Sequence, residues 1–261
     1  MGAEFSSGGI AFALNHATME GKITISVLLI FSLISWTVIV NKFRQLAKAG
    51  SRTRRFLSGY SESLGPLDIF ERGQQKSLDG APVYDVYMAG TGELVKQMEK
   101  YGGKISNHGL SAVRITMERA LGEASVSLQS GMIVLATAIS GGPFIGLLGT
   151  VWGVMDTFSG IGRAQQASLA SMAPGVASAL IATVAGLMVA IPSLFCYNYL
   201  LTKINSISME MDNFAAHMEV VFATEYLRPK DAESLEDEEF LNSLIGSGRG
   251  ETEPSMGAAA H

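Results

Sequence analysis

Two stretches of this chain, Ala124–Met155 and Ala164–Thr202, contain no Asp, Glu, Lys or Arg. About 20 apolar residues are enough for a helix to cross the hydrocarbon core of a bilayer, so either stretch could hold a span. Charge is short throughout the chain, at 16% of residues, against about 25% in ordinary soluble domains. The shortage is concentrated in these runs. A soluble globule is excluded as the working reading, and an all-α integral membrane protein is expected.

Three transmembrane helices are expected, with long cytoplasmic helical extensions. The first is the uncharged run Ile23–Val40, bounded by Lys22 and by Asn41-Lys42. It starts too far into the chain and ends in the wrong kind of residue for a cleaved signal peptide, which has a shorter apolar core and a small-residue cleavage site. The second span is expected over 131–158 and the third over 173–200, with Pro174 in its first turn, where a helix tolerates proline. Ser159–Met172, rich in Gly, Ser, Ala and Gln, reads as a short periplasmic loop between them.

Lys42, Arg44, Lys48, Arg52, Arg54 and Arg55 follow the first span with no acid before Glu62. Basic residues stay on the cytoplasmic side, so residues 1–22 are placed outside, 41–130 in the cytoplasm, and the C-terminus inside. Leu110, Val113, Met117, Leu121, Ala124 and Leu128 recur at helical spacing and run into the second span without a break, predicting one long helix. Ile204, Ile207, Met211, Phe214, Met218 and Val221 repeat in steps of three and four, predicting a cytoplasmic helix over 201–226 that continues the third span. Gly65-Pro66 and Gly80-Ala-Pro82 bracket a looser link. Residues 227–261 form an acidic tail, expected to be disordered, with six acids in Asp231–Glu239.

Several chemistries are disfavoured by the inventory. Cys196 is the sole cysteine, and the four histidines (His16, His108, His217, His261) form no metal-binding array. No phosphate-binding loop is present, and the net charge of −5 argues against nucleic acid. No metal, no cofactor and no enzymatic activity are expected. An intramembrane hydrolase lacks a histidine base within a span.

Polar and small residues within the spans carry the remaining information. Gly142, Gly146, Gly149 and Gly153 form small-xxx-small pairs in the second span, and Ala182, Gly186 and Ala190 form another series in the third; such spacing lets helices pack closely. Pro143, Pro174 and Pro192 are candidate kinks or caps. Thr150 and Thr183 are equally distant from the centre of the hairpin, which places them at one depth, read as near mid-membrane. Thr157 shares a face with Thr150, and Ser178 lies outward of Thr183. Such hydroxyls line a wet path or simply bond to their own helix carbonyls. No span carries a firmly buried ionisable residue, although ion-motive machines normally need one. If a proton path exists, its carboxylate belongs to a partner.

Pro143-Phe-Ile-Gly-Leu-Leu-Gly-Thr-Val-Trp-Gly-Val-Met155, Ala173-Pro-Gly-Val-Ala-Ser-Ala-Leu-Ile-Ala-Thr-Val-Ala-Gly186, Ala190-Ile-Pro-Ser and Tyr197-Asn198 together closely resemble the MotA/TolQ/ExbB proton-channel family. The resemblance extends over about residues 10–226, and the stretches 112–119 and 211–214 are more similar to the TolQ branch than to ExbB. It implies a homopentamer around a central pore in the bacterial inner membrane. A dimeric TolR/ExbD-like protein would send two single spans into that pore, carrying the protonatable Asp, and a TolA/TonB-like envelope protein would act beyond it. By motif match, Thr150 and Thr183 would face that Asp, with Ser178 and Thr157 on the same path.

One departure stands out. The resemblance predicts Glu where this chain has Ser178, so a relay through that carboxylate is lost; Asp156, where relatives tend to have His or Asn, is a candidate for the outer mouth. The resemblance implies a stator-type subunit that turns proton motive force into work on the cell envelope, most closely of the Tol-Pal kind. An energiser of Ton-dependent transport, a gliding-type motor and a non-conducting membrane scaffold are the alternatives.

Overall fold

The computed structural model describes residues 19–73, 75, 77–164 and 169–228. Most of the N-terminal segment and the acidic tail therefore lie outside the described residues. Within them the chain is helical: α1 (Met19–Ser61), α2 (Asp68–Glu71), α3 (Pro82–Tyr101), α4 (Asn107–Gln129), α5 (Met132–Ala164) and α6 (Leu169–Tyr226). Three of them, α1, α5 and α6, are long and apolar enough to cross a membrane. A single isolated bridge pairs Ile105 with Leu227.

Two compact units result. The first comprises the described residues up to Gly50 together with Ser125–Ile207. In it α1 buries Thr24, Leu28, Ser35, Ile39, Lys42, Leu46 and Ala49, spaced by three, four or seven residues. That is the seam of a helix packed lengthwise against others. Its other faces, through Ile23, Leu29, Ile30, Leu33 and Trp36, stay exposed and apolar, as expected of a helix solvated by lipid or by other chains. Helices α5 and α6 run antiparallel in close contact. Leu147, Val151, Met155 and Phe158 on α5, and Val184, Met188, Ile191 and Phe195 on α6, form exposed apolar faces.

The second unit comprises Ser51–Ala124 and the described residues from Ser208 onward. Its core is a cluster of rings: Phe56 packs edge-on to Tyr84 and Phe214, with ring centroids 5.5 Å apart in each pair, and lies 5.3 Å from Tyr87. The Tyr87 hydroxyl accepts from the Phe70 amide and donates to the Pro66 carbonyl, holding the short α2 against α3. Helix α3 starts with Pro82 in its first turn and ends at Gly102, whose amide still donates to the Met98 carbonyl and whose left-handed φ of 71° turns the next amide, that of Gly103, back onto the same carbonyl at 3.0 Å.

Three expectations are corrected. The predicted single helix through 110–158 is broken: Gly131 takes φ 78°, separating α4 from α5. Glycine reaches that conformation without the Cβ clash other residues meet, and one glycine among helical residues gave no periodicity signal. The predicted loop over 159–172 is largely helical, since α5 continues to Ala164 and α6 begins at Leu169. Leu169, Ala170 and Met172 are strong helix formers, so the helix starts ahead of Pro174 and not at it. In the α6 seam Val221 is only half-buried and Phe222 is fully buried, because a 3.6-residue turn drifts away from a strict 3.5 repeat.

Candidate functional site

Helices α5 and α6 approach each other at a series of small residues. A methyl added at Gly186 would stand 2.5 Å from the Gly142 carbonyl oxygen, and one at Gly142 would stand 3.0 Å from the Gly186 carbonyl. Along the same faces, a methyl at Gly146 would meet the Ala182 carbonyl at 2.9 Å, and one at Gly153 would meet the Ala179 Cβ at 2.8 Å. The contact is backbone against backbone. In lipid, where helices gain little from apolar burial, such packing supplies much of the attraction between spans. The glycine and alanine series therefore face each other within one chain.

The hydroxyls sit along this seam at two levels. The Thr183 Oγ1 donates across the interface to the Gly146 carbonyl at 3.3 Å, and the Thr150 Oγ1 donates to the Leu147 carbonyl at 2.7 Å. The two threonines thus converge on neighbouring carbonyls of one turn of α5. One and a half to two turns further along, Thr157 donates to the Gly153 carbonyl at 2.8 Å and stands against Gly175. The Ser178 Oγ donates to that same Gly175's carbonyl at 3.1 Å. Asp156 is exposed beside this second level. Pro143 lies inside α5, between Gly142 and the Gly146 turn. Pro192 lies within α6 beside the half of the seam that holds Ala190. The side chain of Pro174 is outside the described residues.

A third helix reaches the seam at a residue the sequence reading did not single out. A methyl at Gly149 would meet the Thr24 Cγ2 of α1 at 2.9 Å as well as the Ala182 Cβ at 2.7 Å. Thr24 is 4% exposed. It opens the apolar run of α1, so the Thr150–Thr183 level lies at one end of that run and not at its middle. Counting outward from a hairpin gives equal depth for two residues but no absolute depth. The available signal was Thr24 itself, a hydroxyl at the edge of an otherwise apolar run.

No Asp, Glu, Lys, Arg or His stands in the seam between Gly142 and Gly153 or between Ala179 and Ala190. Among the described residues no group of His, Cys, Asp and Glu is arranged to hold a metal ion. The site can offer hydroxyl oxygens and backbone dipoles, and it can hydrogen-bond a titrating group without titrating itself.

Residues 85–213, from α3 to well into α6, match the model of the MotA/TolQ/ExbB proton channel family. The chain is 35% identical over 205 residues to the Tol-Pal system protein TolQ of Haemophilus influenzae, an alignment covering 76% of this chain and 86% of that protein. It belongs to the MotA/TolQ/ExbB family. A second relative, the biopolymer transport protein ExbB of Pseudomonas putida, is 31% identical over 78% of this chain and 60% of its own length. The TolQ of Pseudomonas aeruginosa is 29% identical over 71% of this chain and 80% of its length. The family match spans both faces of the glycine seam and all four hydroxyl residues.

Proposed function

We propose that this chain is the channel-forming subunit of an inner-membrane motor. With a TolR/ExbD-like single-span partner, it converts proton motive force into work on the cell envelope, most closely of the Tol-Pal kind. In this reading five copies surround a pore, the N-terminus is periplasmic and the C-terminus cytoplasmic, and the partner supplies the protonatable Asp. The 35% identity to the TolQ of Haemophilus influenzae over 86% of its length favours the Tol-Pal form of this reading; an ExbB-like role in biopolymer transport is the alternative that the ExbB relatives bring.

The observation that carries the reading is the convergence of Thr150 and Thr183 on one turn of α5 in a seam without charge. Both hydroxyl protons are committed to backbone carbonyls, so both oxygens present lone pairs. A protonated carboxyl can donate to such an oxygen, whereas a carboxylate has no proton to donate. The site therefore stabilises the neutral form of an approaching acid, and the low-dielectric surroundings act in the same sense by penalising the charge. Loss of the proton weakens the contact and releases the partner span to move relative to the ring. That cycle couples proton flow to motion.

The locally satisfied hydroxyls of Thr150, Thr157 and Ser178 also suit a second reading, a non-conducting scaffold in which they serve packing alone. Vesicles holding both subunits separate the two. The channel reading expects proton uptake that disappears when the partner's span Asp becomes Asn and falls strongly with Thr183→Val; uptake independent of both changes would refute it.

A further inference from the structure

Helix α4 ends with its last carbonyls open to donors from outside the helix. The amide of Ser130 still reaches the Val126 carbonyl at 3.0 Å, but the chain then turns away at Gly131, leaving the Ser127 and Leu128 carbonyls beyond the helix's own amides. Such terminal carbonyls need other donors. The Ser130 Oγ donates to the Ser127 carbonyl at 2.8 Å. The other donor is Lys42 of α1. Its Nζ lies 3.0 Å from the Leu128 carbonyl, 3.5 Å from that of Ser127, 3.4 Å from the Ser130 Oγ and 2.7 Å from the Gln45 Oε1.

Lys42 is 6% exposed, while Arg44 and Lys48 on the same helix are exposed. Among the described residues no carboxylate pairs with it. Its charge is instead set against the C-terminal end of α4, the negative end of the helix dipole. An ammonium carries three donors, and here they are shared among the open carbonyls, a hydroxyl and a glutamine. The stem fits equally closely: a methyl on Gly131 would stand 3.7 Å from the Lys42 Cε and 3.9 Å from the Val38 Cγ1.

We propose that Lys42 is a positioning residue: its ammonium clasps the open end of α4 and fixes the elbow at Ser130–Gly131. The clasp thereby sets the register in which α5 presents Gly146 and Thr150 to α6. A slip of one residue at the elbow would shift α5 by about 1.5 Å along its axis and rotate it by about 100°. The glycine seam tolerates neither. The link to the hydroxyl site rests on the proposed function; the clasp itself does not.

The test uses the full chain with its single-span partner in phospholipid vesicles. Lys42→Met keeps the apolar stem and removes the cation, Lys42→Arg keeps the cation, and Ser130→Ala removes one member of the cluster with little change in volume. Five basic residues after the first span remain in the Met variant, so its orientation signal survives. Hydrogen exchange is followed over residues 126–136 and, as an internal control, over 200–222. Partner-dependent proton uptake is measured on the same vesicles. Lys42→Met should speed exchange at 126–136 about tenfold or more, as expected when a charge-assisted hydrogen bond at a helix end is lost. The control segment should not change, and uptake should fall several-fold. Ser130→Ala should show a smaller effect of the same kind, and Lys42→Arg should restore both readouts. Unchanged exchange in Lys42→Met, or failure of Lys42→Arg to rescue it, overturns the clasp. Faster exchange with wild-type uptake overturns the positioning role. If the unaltered chain itself shows no partner-dependent uptake, the proposed function fails, and the clasp stands or falls on exchange and rescue alone.

Discussion

The Thr183 hydroxyl of α6 donates to the Gly146 carbonyl of α5 at 3.3 Å, across the helix interface and not along its own helix. Most helical threonines bond back to a carbonyl in their own preceding turn, as Thr157 does here. Thr183 reaches across because Gly146 has no side chain to keep the backbones apart. Packing and polar chemistry therefore depend on the same glycine.

Closing that gap should separate the helices. Gly186→Ala places a methyl against the Gly142 backbone, which cannot rotate aside as a side chain would. A destabilisation of about 1–3 kcal/mol is expected, typical of overpacking at a close contact. Gly141→Ala is the contrast: nothing lies within 4 Å of the added methyl, and replacing a mid-helix glycine by alanine should stabilise by up to about 1 kcal/mol. Reversible unfolding in micelles or bicelles measures both. Equal effects would show that close approach is not what holds α5 to α6.

Removing the Thr183 hydroxyl at constant shape isolates its bond. Thr183→Val should destabilise by about 0.5–1 kcal/mol, the usual worth of an interhelical hydrogen bond in a membrane, and so by no more than Gly186→Ala. Under the proposed function the same substitution should nonetheless suppress partner-dependent proton uptake, with Thr183→Ser retaining most of it. A proton flux that tracks stability and not the hydroxyl would argue for a purely structural threonine.

Asp156 is exposed and bonded into nothing that holds the seam together, so Asp156→Asn should change stability by no more than about 0.5 kcal/mol. If it marks the outer mouth, its charge concentrates cations there, and the effect on uptake should depend on salt. The Asn variant should be slower at low ionic strength and indistinguishable near molar salt, where the Debye length falls to about 3 Å. A deficit that persists at high salt would assign Asp156 a direct role in the path.

The spans were legible because long charge-free runs mark helices in lipid, and the small-residue faces because residues four apart share a face. The elbow was not legible, since a single left-handed Gly131 looks like any other glycine between helical neighbours. In the sequence Lys42 shows only the sign of its charge. Its burial depends on two carbonyls some eighty-five residues away, and no local pattern announces that pairing. Thr24 is hidden for a related reason: its importance comes from Gly149 on another helix, and a lone hydroxyl at the edge of an apolar run carries no periodicity.

Tyr87 offers a pH test in the second unit. Burial pushes its hydroxyl from the ordinary 10.0 up to about 12, partly offset by the Phe70 amide that it accepts from. The unfolded chain would release this proton near its ordinary value while the folded chain retains it. Folding therefore holds the proton more tightly, and stability falls as pH rises. The contribution is fully present below pH 10 and is lost as pH climbs through about 12. Tyr87→Phe removes the titration together with the bonds to Phe70 and Pro66, at a loss of about 1–3 kcal/mol near neutral pH, because a buried amide and carbonyl are left unpaired. Stability measured between pH 9 and 12 should fall more steeply for the unaltered chain than for Tyr87→Phe. Parallel curves would place the alkaline transition on other residues.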